Sequence, residues 1–171
     1  RSVVFVAFSG EEWGLKGSSY YVQHEGDLPA KQALAMVNLD TVGRLDGKKI
    51  LVLGSGTASE WRHIAIGVGF TTGVESKCVA DDPGGSDQVS FHRVGVPAVQ
   101  LFSGGHADYH RSTDDAEKVD VAGLVRVATF VRETIVYLSE RPRPLTSSLG
   151  AGTRPAPAAG AARKVSFGTM P

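Results

Sequence analysis

Cysteine is nearly absent: the 171-residue sequence holds one, Cys78. A single thiol excludes an internal disulfide and any cysteine-based zinc cluster, and it does not fix a redox compartment. Its plainest reading is a small apolar side chain in a strand. Long hydrophobic runs are missing too, and none approaches the ~20 residues of a membrane-spanning helix. Formal charge is zero, so no cationic excess points to nucleic acid or to an anionic membrane surface as partner. No secretory leader pattern occurs, but there is no initiator Met either, and Arg1-Ser2 stands directly before an apolar run. The sequence reads as a piece of a longer protein. There are no internal repeats.

Acids are missing from the last part of the chain. Arg141–Lys164 holds four prolines, three glycines and six alanines, with no Asp or Glu. Such a segment has little means of burying surface and reads as a linker. All 18 acids precede it, against 13 of the 18 lysines and arginines, so the body carries about −5. Residues 1–140 are long enough for one domain with a real core. Residues 165–171 look like the start of a further element.

What is present is organised around the first stretch. Val3-Val4-Phe5-Val6-Ala7-Phe8 is apolar throughout, which predicts a strand buried on both faces, as in a parallel sheet between helices. It runs into Ser9-Gly10-Glu11-Glu12-Trp13-Gly14-Leu15. Ligand chemistry in open α/β sheets sits at the carboxyl ends of strands. Two adjacent acids there must each be solvated, paired or bound to metal. Their side chains diverge, so one can ligate a cation while the other leans over a water. A solvated acidic turn is the alternative.

Strand and helix patterns alternate from there. Ser18 to about His24 predicts a short helix, Ala33–Leu39 and Ile50–Leu53 strands, and Trp61–Val68 a helix capped by Thr57 or Ser59. Val74–Ala80 reads as a strand, Ser86 as the cap of a short helix ending at Gly95, and Val96–Phe102 as a strong strand. Ser103–Asp120 is a long polar loop, and loops of that length in compact domains usually carry function. Asp120 then caps a helix whose Val121, Leu124, Val125, Ala128, Val131, Ile135 and Leu138 fall on one face. The pattern predicts an α/β fold, three layers with a mainly parallel central sheet.

The candidate groups gather at strand ends: Glu11 and Glu12 after the first strand, Asp40 after the second, and His106, Asp108, Tyr109 and His110 in the long loop. Carboxylate with imidazole suits zinc in catalytic sites. Bound zinc would lower the pKa of a water and polarise a carbonyl, and a nearby Glu would take the proton. Each residue also has a plain alternative. Asp40 could cap a turn towards Gly43, and His110 could be a satisfied loop histidine. Tyr109 could be a packing anchor. His106 lies in the right loop but beside glycines. His24, His63 and His92 fall on helix patterns with no acidic partner in view and are left as surface or packing residues.

Together the motifs form a recognisable pattern. Phe8-Ser9-Gly10-Glu11-Glu12-Trp13-Gly14-Leu15-Lys16-Gly17-Ser18, Asn38-Leu39-Asp40-Thr41-Val42-Gly43-Arg44, Gly85-Ser86-Asp87, Phe91, Gly95-Val96-Pro97 and Asp108-Tyr109-His110 leading to Asp114 and Asp120 occur in order over residues 1–140. The chain resembles the co-catalytic dizinc aminopeptidases, the aminopeptidase Y type of zinc exopeptidase. The resemblance implies Glu11 as general base, Glu12 and His110 as ligands of one Zn²⁺, Asp40 as ligand of a second, and Tyr109 as hydrogen-bond donor to the oxyanion. It implies hydrolysis of the first amide of peptides with a free N-terminus by a metal-activated water. An extracytoplasmic location follows by resemblance only.

Two departures stand out. The family's His-x-Asp motif and metal-bridging Asp precede the Glu-Glu strand, so two further ligands are expected upstream of residue 1, and the segment alone is expected to be inactive. Gln88 stands where many relatives carry His after Ser-Asp, which leaves Asp87 a supporting part at most. The tail resembles the entry to a PDZ domain, as in bacterial members where one follows the peptidase. Two rival readings share the fold: a glutaminyl cyclase-like zinc acyltransferase, and a non-catalytic interaction domain that has lost its metals. Glu11, Glu12, Asp40 and His110 standing together argue against that loss.

Overall fold

The computed structural model describes residues 2–24 and 29–150. In chain order the elements are α1 (Lys16–Gln23), β1 (Met36–Leu39), β2 (Ile50–Leu53), α2 (Trp61–Thr72), β3 (Ser76–Val79), α3 (Gln88–His92), β4 (Ala98–Phe102) and α4 (Val121–Glu140). The four strands form one sheet in the order β1-β4-β2-β3. β1 pairs with β4 and β2 with β3 in parallel, while β2 and β4 run antiparallel. Alternation along the strands sends side chains to two cores. Val37, Val99 and Leu101 join Ile50, Val52, Trp61, Val127 and Phe130 on the α2–α4 side. Met36 and Ala98 join Val22, Phe91 and Val96 on the α1–α3 side. The fold is therefore a three-layer α/β/α arrangement with a mostly parallel sheet, as the sequence pattern predicts.

The first stretch differs from expectation. Val3–Phe8 forms no strand, and Val3 to Val6 are exposed, Phe5 at 85%. An apolar run encodes a demand for cover on two faces but not the neighbour whose ladder makes it a strand. No described strand pairs with it. Only Phe8 is gathered in, its ring 5.7 Å from Tyr21 and 6.1 Å from Phe91.

The helices follow their end signals only in part. Asp120 caps α4 as expected, its side chain accepting from the Gly123 N–H at 2.8 Å. The buried face of α4, however, is Gly123, Val127, Phe130, Thr134 and Leu138. Val121 and Val125 are left exposed, because the helix carries apolar residues on more than one stripe and packing against α2 and the sheet selects one. α2 runs through Gly69 and stops at Gly73, which takes the left-handed φ of 70° that ends it. Neither Thr57 nor Ser59 caps it. The Thr57 hydroxyl instead donates to backbone carbonyls and accepts from the Trp61 indole N–H at 3.1 Å. Likewise Ser86 does not cap α3 through its side chain, since Asp87 holds the cap position without a side-chain bond. Cys78 lies in β3, partly buried against the core, and that burial pushes its thiol pKa up.

The first ten residues of Arg141–Lys164 are docked on the body. Glu60 at the start of α2 accepts from Arg141 at 2.8 Å and from the Thr146 N–H at 2.9 Å, and Leu145 is buried. Burial alone would raise the Glu60 carboxyl pKa, but the hydrogen bonds from Thr146, the Glu60 backbone and Ser59 together draw it down. The rest of that segment, and the PDZ-like start at 165–171, lie outside the described residues. Among the described residues no helix is long and apolar enough to cross a membrane.

Candidate active site

The Glu-Glu turn is built from backbone bonds that glycine permits. Lys16 N–H donates to Gly10 O at 3.0 Å, Leu15 N–H to Glu11 O at 2.9 Å and Gly17 N–H to Ser9 O at 2.9 Å. Gly10 and Gly14 take φ of 66° and 89°, where side chains are disfavoured. Gly17 is needed for space, since a Cβ there would stand 2.5 Å from the Ser9 carbonyl oxygen. The turn leaves Glu12 exposed and Glu11 partly buried beside it.

Glu12 meets the long loop. Its Oε1 lies 3.0 Å from His110 Nε2, with both side chains about half exposed. His110 has φ 57°, a left-handed conformation that a non-glycine residue holds only when its surroundings over-determine it. Here they do. Tyr109 N–H donates to His106 O, Arg111 N–H to Asp108 O and Asp114 N–H to Arg111 O. The Tyr109 ring stacks on His110 at 4.0 Å and meets His106 edge-on at 6.0 Å.

Asp40 follows β1, in which Met36 packs on the α1–α3 side and Val37 on the α2–α4 side. The Asp40 Oδ1 accepts from the Thr41 hydroxyl at 3.2 Å, and Thr41 also takes a positive φ. The Thr41 carbonyl accepts from both the N–H and the hydroxyl of Ser103, which locks the ends of β1 and β4 together. A cavity of about 370 Å³ opens between residues 40–44 and 106–119, and Asp40, Arg44, His106, Tyr109, His110 and Asp114 line it. Glu11 and Glu12 do not line this cavity; the turn reaches its edge through the Glu12–His110 contact.

Three features escaped the sequence reading. Arg44 reaches from its own turn to the long loop, donating to Asp114 at 2.9 Å and to Asp108 at 3.1 Å. Lys118 and Thr113 also donate to Asp108, and these donors hold its carboxyl far below the ordinary range, Lys118 foremost. An acid on each side of His110 with a basic residue four after Asp40 was the available signal. Second, a buried polar network lies under the site. The Asn38 amide donates to Ser86 and to Gln88 at 2.8 and 2.9 Å. The Gln88 amide donates to Asp82 at 3.1 Å and to Gln100 at 3.2 Å. Gln88 therefore acts as a junction, and nothing in the spacing of the sequence announced it. His92 is not an unpartnered packing residue: its Nδ1 faces Asp82 at 3.3 Å and its Nε2 the Ala98 carbonyl at 3.0 Å. His63 does lie on exposed helix surface, and His24, also exposed, follows directly after α1 with its ring stacked on Tyr20. Third, Asp87 is buried with its Oδ1 unpartnered among the described residues. Burial raises its pKa, the Ser18 hydroxyl opposes that, and the charge of Asp40 adds to it.

The donor chemistry suits zinc. Two ligands of one tetrahedral ion with bonds of ~2.0–2.1 Å stand a little over 3 Å apart, and Glu12 and His110 already approach to 3.0 Å. Among the described residues no three His, Cys, Asp or Glu side chains close on one point.

Comparison with known proteins bears on this arrangement. A family model described as peptidase family M28 matches residues 1–135. The chain is 28% identical over 153 residues to aminopeptidase YwaD of Bacillus subtilis (strain 168), covering 79% of this chain and 31% of that protein. It is 30% identical over 115 residues to leupeptin-inactivating enzyme 1 of Streptomyces exfoliatus, covering 65% of this chain and 24% of that one. Among solved structures it resembles BSAP, a zinc aminopeptidase from Bacillus subtilis, with a TM-score of 0.65 and 25% identity over 85% of this chain and 36% of that one. The chain spans less than a third of the length of the two curated relatives.

Proposed function

This chain belongs to peptidase family M28, and on that premise we propose that it forms part of a zinc aminopeptidase acting on peptides with a free N-terminus. The observation that carries the reading is the Glu12–His110 approach at 3.0 Å beside a cavity that also takes in Asp40 and Tyr109. Glu12 and His110 would hold one Zn²⁺ and Asp40 a second. The remaining donors, on the resemblance a His and a bridging Asp, are not among these residues. Zinc when bound supplies Lewis-acid polarisation of the scissile carbonyl and a water of near-neutral pKa.

The protein's own groups do the rest. Glu11, beside Glu12 on a turn pinned by its own carbonyl, accepts a proton on a carboxylate oxygen as the water oxygen bonds to the amide carbon. It returns that proton to the amine nitrogen as the C–N bond breaks, so the proton count closes. The Tyr109 hydroxyl donates a hydrogen bond to the oxygen that gains charge. The backbone bonds of the loop hold Tyr109 and His110 in place.

The test is Glu11→Gln in the complete protein, with metal analysis and aminoacyl-nitroanilide hydrolysis on one sample. Zinc content is expected to stay and turnover to fall about 10²–10⁴-fold, the usual worth of a general base. Near-normal turnover would remove Glu11 from the role.

A further inference from the structure

We propose that Arg44 is a positioning residue that sets the separation between Asp40 and His110, clamping the loop of one metal ligand to the loop of the other. The inference rests on the zinc reading of those two residues. Its starting point is that neither ligand is on a rigid element: Asp40 follows the last residue of β1 and His110 lies in the loop between β4 and α4.

Arg44 connects them through a short, doubly anchored path. On its own side, residues 41–44 are fixed where the Thr41 carbonyl accepts from Ser103 and the Gly43 carbonyl accepts from the Asp120 N–H at 2.8 Å. Asp40 and Arg44 therefore belong to one braced turn. On the far side, the guanidinium reaches Asp108, two residues before His110, and Asp114, four residues after it. Both legs of the loop are held, and the left-handed His110 sits between them.

The chemistry requires arginine. Two nitrogens of one planar group reach two carboxylates, Nη1 to Asp114 and Nη2 to Asp108, with the side chain only 16% exposed. A lysine would carry the same charge as a single point on a flexible stem and hold one leg at a time. Lys118 strengthens the arrangement on the far side by joining Asp108 to the Thr113 carbonyl, at 2.7 and 2.6 Å, so the loop moves as one piece with the carboxylate that Arg44 grips.

A purely stabilising network and a positioning one differ in what they change. Arg44 is only 16% exposed, so removing it also leaves Asp108 and Asp114 short of a partner and lowers the metal-free melting temperature, and zinc affinity must therefore be read on folded protein. Partners that orient metal ligands typically cost 10–100-fold in metal affinity when removed. The experiment is chelator-competition titration of zinc into the complete, metal-stripped protein, for wild type, Arg44→Lys, Arg44→Ala, Asp114→Asn and His110→Ala, with melting of each metal-free sample alongside. Arg44→Lys and Arg44→Ala are expected to weaken zinc binding about 10–100-fold, and Asp114→Asn to weaken it in the same direction, each measured at a temperature where its metal-free sample is folded. If His110→Ala loses zinc affinity and the Arg44 variants do not, the clamp is refuted and the zinc reading stands. If His110→Ala binds zinc as tightly as wild type, the zinc reading falls and the clamp with it.

Discussion

Replacing Gln88 by leucine should cost this protein more stability than any exposed substitution, and the cost can be worked out bond by bond. Gln88 is fully buried, and its amide is saturated: Oε1 accepts from Asn38, while Nε2 donates to Asp82 and to Gln100. Leucine has a similar volume, so the cavity contribution is small and the polar one is isolated. Asn38 keeps Ser86 with one amide hydrogen but loses the acceptor of the other, and Asp82 keeps the Gly84 N–H and His92. Among the described residues Gln100 Oε1 accepts only from Gln88 and is then left buried without a donor. A lost hydrogen bond to a charged group is worth about 1.5–3 kcal/mol, and an orphaned buried acceptor costs about 1–3 kcal/mol. With the Asn38 N–H orphaned as well, the expected total is at least roughly 3 kcal/mol, read as a lower urea midpoint with an unchanged slope. Adding Gln100→Leu should restore part of the loss, because removing both partners of a buried bond is far cheaper than removing one. A loss below about 1 kcal/mol, or a double variant worse than the sum of the singles, would refute the account of Gln88 as the junction.

Tyr109→Phe in the complete enzyme is expected to lower kcat about 10²-fold, the lower end of the usual cost of an oxyanion donor, with KM little changed; equal kcat at equal zinc occupancy would return Tyr109 to packing. Asp87→Asn should stabilise the metal-free protein at neutral pH, because burial raises the Asp87 pKa. A group raised in the folded state favours folding below its unfolded value and loses that contribution as pH rises through the folded value. The advantage of Asn should therefore fade as pH drops below about 4. Melting in EDTA across that range checks it, and an advantage independent of pH would show that the charge is not its source.

Local signals in the sequence settle much of this chain. Ile50–Leu53 is a strand as its run predicts, Asp120 starts the long helix because its carboxylate can reach an otherwise unpaired N–H, and Gly10, Gly14 and Gly17 allow a turn that presents two acids in a row. Asp40 falls just beyond a strand end for the same local reason. What needed the tertiary structure was every choice between equivalent local options. The stripe of α4 that becomes core is decided by the shape of α2 and the sheet, so Val127 and Phe130 go in and Val121 and Val125 stay out. The antiparallel pairing of β2 with β4 lies in the chain path, which the apolar character of either strand does not encode. Val3–Phe8 is apolar enough for a buried strand, yet a strand exists only with a neighbour to complete its backbone bonds. The gathering of Glu12 with His110, of Arg44 with Asp108 and Asp114, and of Gln88 with Asn38, Asp82 and Gln100 joins residues up to 98 positions apart in the chain. No local propensity reaches that far, because such contacts are selected by packing and by the need to pair every buried polar atom once the layers have closed.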